Sequence, residues 1–153
     1  MTGLAFLAAC CSTKGLTRAE KKQLKKDRDS IQQVLDFKMM VDPGADPVAV
    51  AEYDAEINCL RYQIDSINFR LGKNVDIEQS KQRLEQSKQE VEMSKQGTTL
   101  RQRIDELKNA IRMREGACVY GSPEVIQAYG KKTQEMRDEL EKLENQLEQL
   151  EKK

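Results

Sequence analysis

The chain has no histidine and no tryptophan, and only three Phe, four Tyr and three Pro in 153 residues. Without histidine, the commonest general base and metal ligand is missing. Cys59 and Cys118 stand far apart in the sequence, so neither belongs to the close pair that zinc ligation needs. The few aromatics do not interleave with basic residues, which leaves no stacking platform for nucleic acid. Lys plus Arg and Asp plus Glu number 26 each, so overall charge favours no polyanion. There is no Gly-rich phosphate loop, Ser-His-Asp set or EF-hand loop, and no carboxylate is embedded in an apolar run. No apolar run reaches the roughly 20 residues that span a bilayer. These absences predict a non-catalytic protein with no cofactor and no metal.

What remains is rich in Lys, Glu, Gln and Leu, the composition of long helices and coiled coils. Val50, Tyr53, Ile57, Leu60, Ile64, Ile67 and Leu71 step by alternating threes and fours. About 76 residues later, Ile126, Tyr129, Thr133, Met136, Leu140, Leu143 and Leu147 repeat the stepping, and Leu150 extends it. Such spacing lays one narrow apolar stripe along a helix, suited to a partner helix.

Helix boundaries are written beside each seam. Thr17-Arg18-Ala19-Glu20 is a capping box, from which a helix runs to about Met40 with Leu24, Ile31, Val34 and Leu35 on its apolar side. Asp42-Pro43-Gly44-Ala45-Asp46-Pro47 ends it, with Asp46 as N-cap and Pro47 at the first position of the next helix. That helix ends near Leu71, with Gly72 as its left-handed cap. Leu100, Ile104, Leu107 and Ile111 open a second hairpin, Gly116 to Ser122 form its tip, and Ser122-Pro123 stands where Asp46-Pro47 stood. The fold expected is all-α: two antiparallel coiled-coil-like hairpins, 17–71 and 99–153, packed as an elongated four-helix bundle. Tyr53 corresponds to Tyr129, Arg61 to Arg137 and Asp29 to Asp105, as a duplication or convergence on a generic hairpin pattern would give.

Residues 72–98 join the hairpins through a low-complexity segment in which Glu78-Gln79-Ser80-Lys81-Gln82-Arg83-Leu84 recurs as Glu85-Gln86-Ser87-Lys88-Gln89-Glu90-Val91. Asp76 with Gln79 caps its start. Ile77, Leu84 and Val91 supply one apolar residue per heptad, half the usual coiled-coil stripe, so this helix is expected to be mostly solvated. Gly97 shifts the register, either at a hinge or within one helix continuing to about Arg114. Folding each hairpin about its tip sets Leu35 against Val50, Ile31 against Tyr53, Leu24 against Leu60, and Leu140 near Gly97. Ile64, Ile67, Leu71, Leu140, Leu143 and Leu147 are then left short of cover and become candidate contacts for a partner or a second copy. The tip Gly116 to Pro123 adds Val119 and Tyr120, which either fold back over Val125 and Ile126 or face a partner. Cys59 and Cys118 have three fates: an internal disulfide, an intermolecular one through Cys118, or free thiols.

The N-terminus reads as an address. Gly3 to Ala9 is a short apolar run ending in small residues. Leu7-Ala8-Ala9-Cys10 resembles the lipobox of bacterial lipoproteins: an aliphatic residue, two small ones and the cysteine. The resemblance implies that residues 1–9 are a signal-peptide remnant, that Cys10 carries the lipid, and that 10–16 form a tether. It implies a membrane partner through that lipid and a location in the bacterial cell envelope, facing the periplasm. Lys14, Arg18, Lys21, Lys22, Lys25, Lys26 and Arg28 face only Glu20 and Asp27, a cluster able to touch anionic head groups or simply to be solvated. The expected function is a lipid-anchored, non-catalytic scaffold, spacer or docking module. Its rivals are a cytoplasmic coiled-coil adaptor without lipid and a lipoprotein tethered to the cell wall through terminal Lys152-Lys153.

Overall fold

The computed structural model describes residues 15–152; Leu7-Ala8-Ala9-Cys10 and Lys14 lie outside the described residues, as does Lys153. The described chain is four helices and no strand: α1 (Arg18–Lys38), α2 (Pro47–Arg70), α3 (Ile77–Glu115) and α4 (Pro123–Glu151). It is an all-α bundle in which each helix packs on the next in sequence.

Local chemistry sets the ends. Thr17 accepts the Glu20 amide at 3.2 Å while Glu20 Oε2 accepts the Thr17 amide at 2.7 Å, closing the capping box. Asp46 and Asp76 each accept from a first-turn amide, of Val48 at 3.1 Å and of Gln79 at 3.0 Å. Gly72, at φ 79°, takes the left-handed position that ends α2 without a Cβ penalty.

Hairpin register differs from a fold made symmetrically about each tip. Leu35 packs with Ile57 and Ile64, and Tyr53 donates to the Lys38 carbonyl, so α2 is slipped two turns from the pairing of Leu35 with Val50. In the second hairpin, Arg103 pairs with Glu139 and Lys108 with Glu144, which sets Leu140 level with Leu107 rather than Gly97. Gly97 meets Leu150 instead. The same cause acts twice: each tip carries the chain past the end of the preceding helix before it turns, so the first turns of α2 and α4 overhang. Apolar Val125 and Ile126 stay half exposed on that overhang.

The segment between the hairpins is not a separate piece. α3 runs unbroken through Gly97 for 39 residues, about 58 Å. Most of its N-terminal half is exposed, yet Ser80, Leu84, Ser87 and Val91 form a buried stripe against α2. Serine fills the seam positions that lack an apolar residue. The Ser87 hydroxyl donates to carbonyls of its own helix, Arg83 and Leu84, and the Ser80 hydroxyl donates to the Asp65 carboxylate. Neither serine hydroxyl is left without a partner, and the small side chains let α2 approach closely.

Beyond Gly97 the buried residues of α3 are Ile104, Leu107 and Ile111, which face α4. Val91 to Ile104 is one residue short of two heptads, and each helical residue turns by about 100°. The second stripe therefore points away from the first by a right angle or more. So α2 and α4 use different faces of α3 and make no contact with each other among the described residues. α2, between α1 and α3, is the most enclosed helix, with Ile57, Ile64 and Ile67 buried.

Candidate docking surfaces

The slipped register and the serine stripe change which residues are available to a partner. Ile64 and Ile67 are buried within the chain's own core, so they are not free contacts in the folded chain. Leu71, Leu140, Leu143 and Leu147 are half-buried, the last three on the α4 face turned to α3. Val119 is half-buried and Tyr120 is 88% exposed. Tyr120 does not fold back over Val125 and Ile126; of the two tip residues it alone projects fully into solvent. Cys118 beside it is exposed and free, and Cys59 is a free, half-buried thiol whose sulfur accepts from Gln63 at 3.6 Å.

Behind that tip the structure is tightly tied. Arg114 lies 3.7 Å from the centre of the Tyr129 ring and donates to the Thr133 hydroxyl and the Tyr129 carbonyl, each at 3.0 Å. Tyr129 returns a bond to the Arg114 carbonyl at 3.1 Å. Lys38 occupies the corresponding place in the first hairpin, where its carbonyl accepts from Tyr53 at 2.5 Å and its ammonium pairs with Glu56.

A second group of exposed apolar residues, absent from the candidates read from the sequence, lies at the end of α1. Phe37 is 70% exposed and Met40 84%, with Met39 and Val41 beside them. The sequence does show it, because Phe37 falls off the Leu24–Ile31–Leu35 face, but a lone off-face aromatic stands out only once that face is known to be covered.

A small cleft of about 250 Å³ opens where α1, α2 and α3 meet, lined by Leu35, Arg61, Tyr62, Asp65, Ser80 and Arg83 among others. Ser80 and Asp65 in that lining are bonded to each other. No cluster of three or more metal-ligating side chains occurs among the described residues. No helix among them is long and apolar enough to cross a membrane.

Charge on the packed faces is matched in pairs. Glu52 holds the Lys95 ammonium above its ordinary pKa, and Glu139 does the same for Arg103, first through hydrogen bonds and then through charge. These exposed bridges contribute little energy but align the helices. The Glu20 carboxyl is lowered by the Thr17 backbone amide first and the Thr17 hydroxyl second, and the Glu124 carboxyl by the Ser122 side chain. No family model, curated protein or solved structure matches the chain.

Proposed function

We propose that this chain is a lipid-anchored, non-catalytic helical scaffold of the bacterial cell envelope, held at one end by an acyl-modified Cys10. The observation that supports it is the form of α3: an unbroken rod of about 58 Å that carries other helices on two different faces. A rod of that kind sets distance and presents surfaces; the exposed Tyr120 tip and the Phe37–Met40 end are the surfaces it presents. The resemblance of Leu7-Ala8-Ala9-Cys10 to a lipobox supplies the anchor. Several acyl chains hold a protein durably, because each buried methylene contributes about 0.8 kcal/mol.

Palmitate labelling of the full chain and of Cys10→Ala in a bacterial host tests the anchor. A label that disappears with Cys10→Ala is the expected result. Absence of any Cys10-dependent label, with the chain in the soluble fraction, replaces the reading with a cytoplasmic adaptor.

A further inference from the structure

α1 packs only on α2 among the described residues, so most of its circumference faces solvent. At about 100° per residue, Arg18, Lys22, Lys25, Lys26, Asp29, Gln33, Asp36 and Phe37 fall within about a third of that circumference, opposite Leu24, Ile31 and Leu35, with the cations gathered in its N-terminal half. Lys21 flanks them. None of Arg18, Lys21, Lys22, Lys25 and Lys26 forms an ion pair or side-chain hydrogen bond with any described residue. On α3 and α4, Lys95, Arg101, Arg103, Lys108 and Arg137 each meet a carboxylate of a neighbouring helix, and Lys81, Arg83, Arg112, Lys132 and Lys142 do not. What sets α1 apart is that its unpaired cations are gathered on one side of one helix.

The position is also unfavourable for cations. Arg18 and Lys21 sit at the N-terminal turn, where the helix dipole repels positive charge and only Glu20 offsets it. Of the acidic groups nearby, Asp29 is paired with Arg28, while Asp27 and Asp36 are bonded to the neutral amides of Gln23 and Gln32 and keep their charge. At the far end of the same face Phe37 is 70% exposed, and in the turn just past the helix Met40 is 84% exposed. Unpaired lysines on a helix face, followed by protruding apolar groups at and just past its end, match the two needs of an interfacial helix, attraction to anionic head groups and a wedge for the acyl boundary.

From this we infer that the outer face of α1 lies on an anionic phospholipid surface, with Lys22, Lys25 and Lys26 at the head-group phosphates and Phe37 and Met40 in the interface. Lys22 and Phe37 are about 22 Å apart along the axis, so the helix lies along the bilayer plane. The inference uses the same membrane as the proposed anchor but does not need the acyl chains.

The test uses the full chain carrying Cys10→Ala, which removes the lipid, so failure here leaves the anchor reading standing. The chain has no Trp, so Phe37→Trp adds a single reporter. Its emission should shift to the blue with vesicles of mixed phosphatidylglycerol and phosphatidylcholine and stay unshifted with phosphatidylcholine alone. Partitioning should weaken with added salt and fall roughly fivefold for each lysine removed in Lys22→Gln, Lys25→Gln and Lys26→Gln. Lys131→Gln with Lys132→Gln on α4 should leave it unchanged, and circular dichroism verifies that every variant keeps its helices. Equal binding to both vesicle types, or binding indifferent to the α1 lysines, overturns the proposal. So does tighter binding to duplex DNA than to anionic vesicles, which assigns the face to nucleic acid. A dimer abolished by Phe37→Ser assigns it to a second copy and likewise overturns the membrane contact.

Discussion

The tyrosines at corresponding places in the two hairpins do the same work. The carbonyls of Lys38 and Arg114 belong to the last turns of α1 and α3, where intrahelical donors run out. Each accepts one amide from its tip, of Val41 and Ala117, and the hydroxyl of Tyr53 or Tyr129 supplies a second bond. The tyrosine rings thereby tie the end of one helix to the side of the next. Tyr53→Phe and Tyr129→Phe should each lower stability by about 0.5–1.5 kcal/mol in urea unfolding. The double variant should lose the sum, because the two sites share no partners. A strong departure from additivity would mean the hairpins are coupled more closely than their packing implies. Glu20 gives a prediction in pH. Its pKa is lowered in the folded chain from an ordinary 4.5, so the stabilisation it lends α1 is full above that value and is lost as pH falls through the lowered one. Amide exchange in the first turn of α1 should be faster in Glu20→Ala than in the parent at neutral pH, and the gap should close in acid. A gap constant across that range would remove the capping role.

At the scale of elements, α3 is decided by small residues. Ser87 is 2% exposed and its hydroxyl bonds only its own helix, so the position needs smallness rather than polarity. Ser87→Ala should therefore be tolerated, whereas Ser87→Leu should cost about 1–3 kcal/mol by forcing α2 away; thermal unfolding distinguishes them. Gly97 gives the opposite sign. A Cβ there meets Leu150 at 3.5 Å and Arg101 at 3.6 Å, ordinary contact distances, within a continuous helix. Gly97→Ala should raise stability by up to about 1 kcal/mol, and a loss would show that the helix bends there. These positions also mark how far the sequence could be read. The capping box at Thr17, the caps at Asp46 and Asp76, and both apolar seams are legible because each depends on spacing within one helix. The heptad segment was harder, since a count of apolar residues passes over Ser80 and Ser87, which bury as well as any leucine where helices lie close. Register was hidden as well: it depends on how far each tip overshoots, and on ion pairs such as Lys108–Glu144 whose partners lie in different helices. Of the candidate contacts, Tyr120 was readable as a residue of a tip, while Ile64 and Ile67 were misjudged because the slipped register brings cover such as Leu35 of α1 onto that part of α2.

Over the whole molecule, packing in series makes stability local. Each helix end depends on one neighbour, and no large side chain is fully buried among the described residues. α2 touches helices on two sides, while α1 and α4 each touch one. Opening α4 exposes its own seam and the α3 face from Gly97 to Ile111, and leaves the α1–α2–α3 packing intact. Unfolding should then proceed in steps, as in linear arrays where only neighbouring units interact. Hydrogen exchange on the full chain should find the slowest amides around Ile57 to Ile67 of α2 and Ser80 to Val91 of α3, with α4 opening at lower free energy. Leu107→Ala removes a side chain that is 4% exposed and should destabilise α4 by about 2–3 kcal/mol without changing exchange in α1. Leu24→Ala, at the other end of the series, should loosen α1 and leave α4 alone. If either substitution accelerates exchange equally in all four helices, the molecule unfolds as one unit and the serial account is wrong. That outcome would also bear on the scaffold, because a rod with independent ends can yield at one surface while holding the other, and a single cooperative unit cannot.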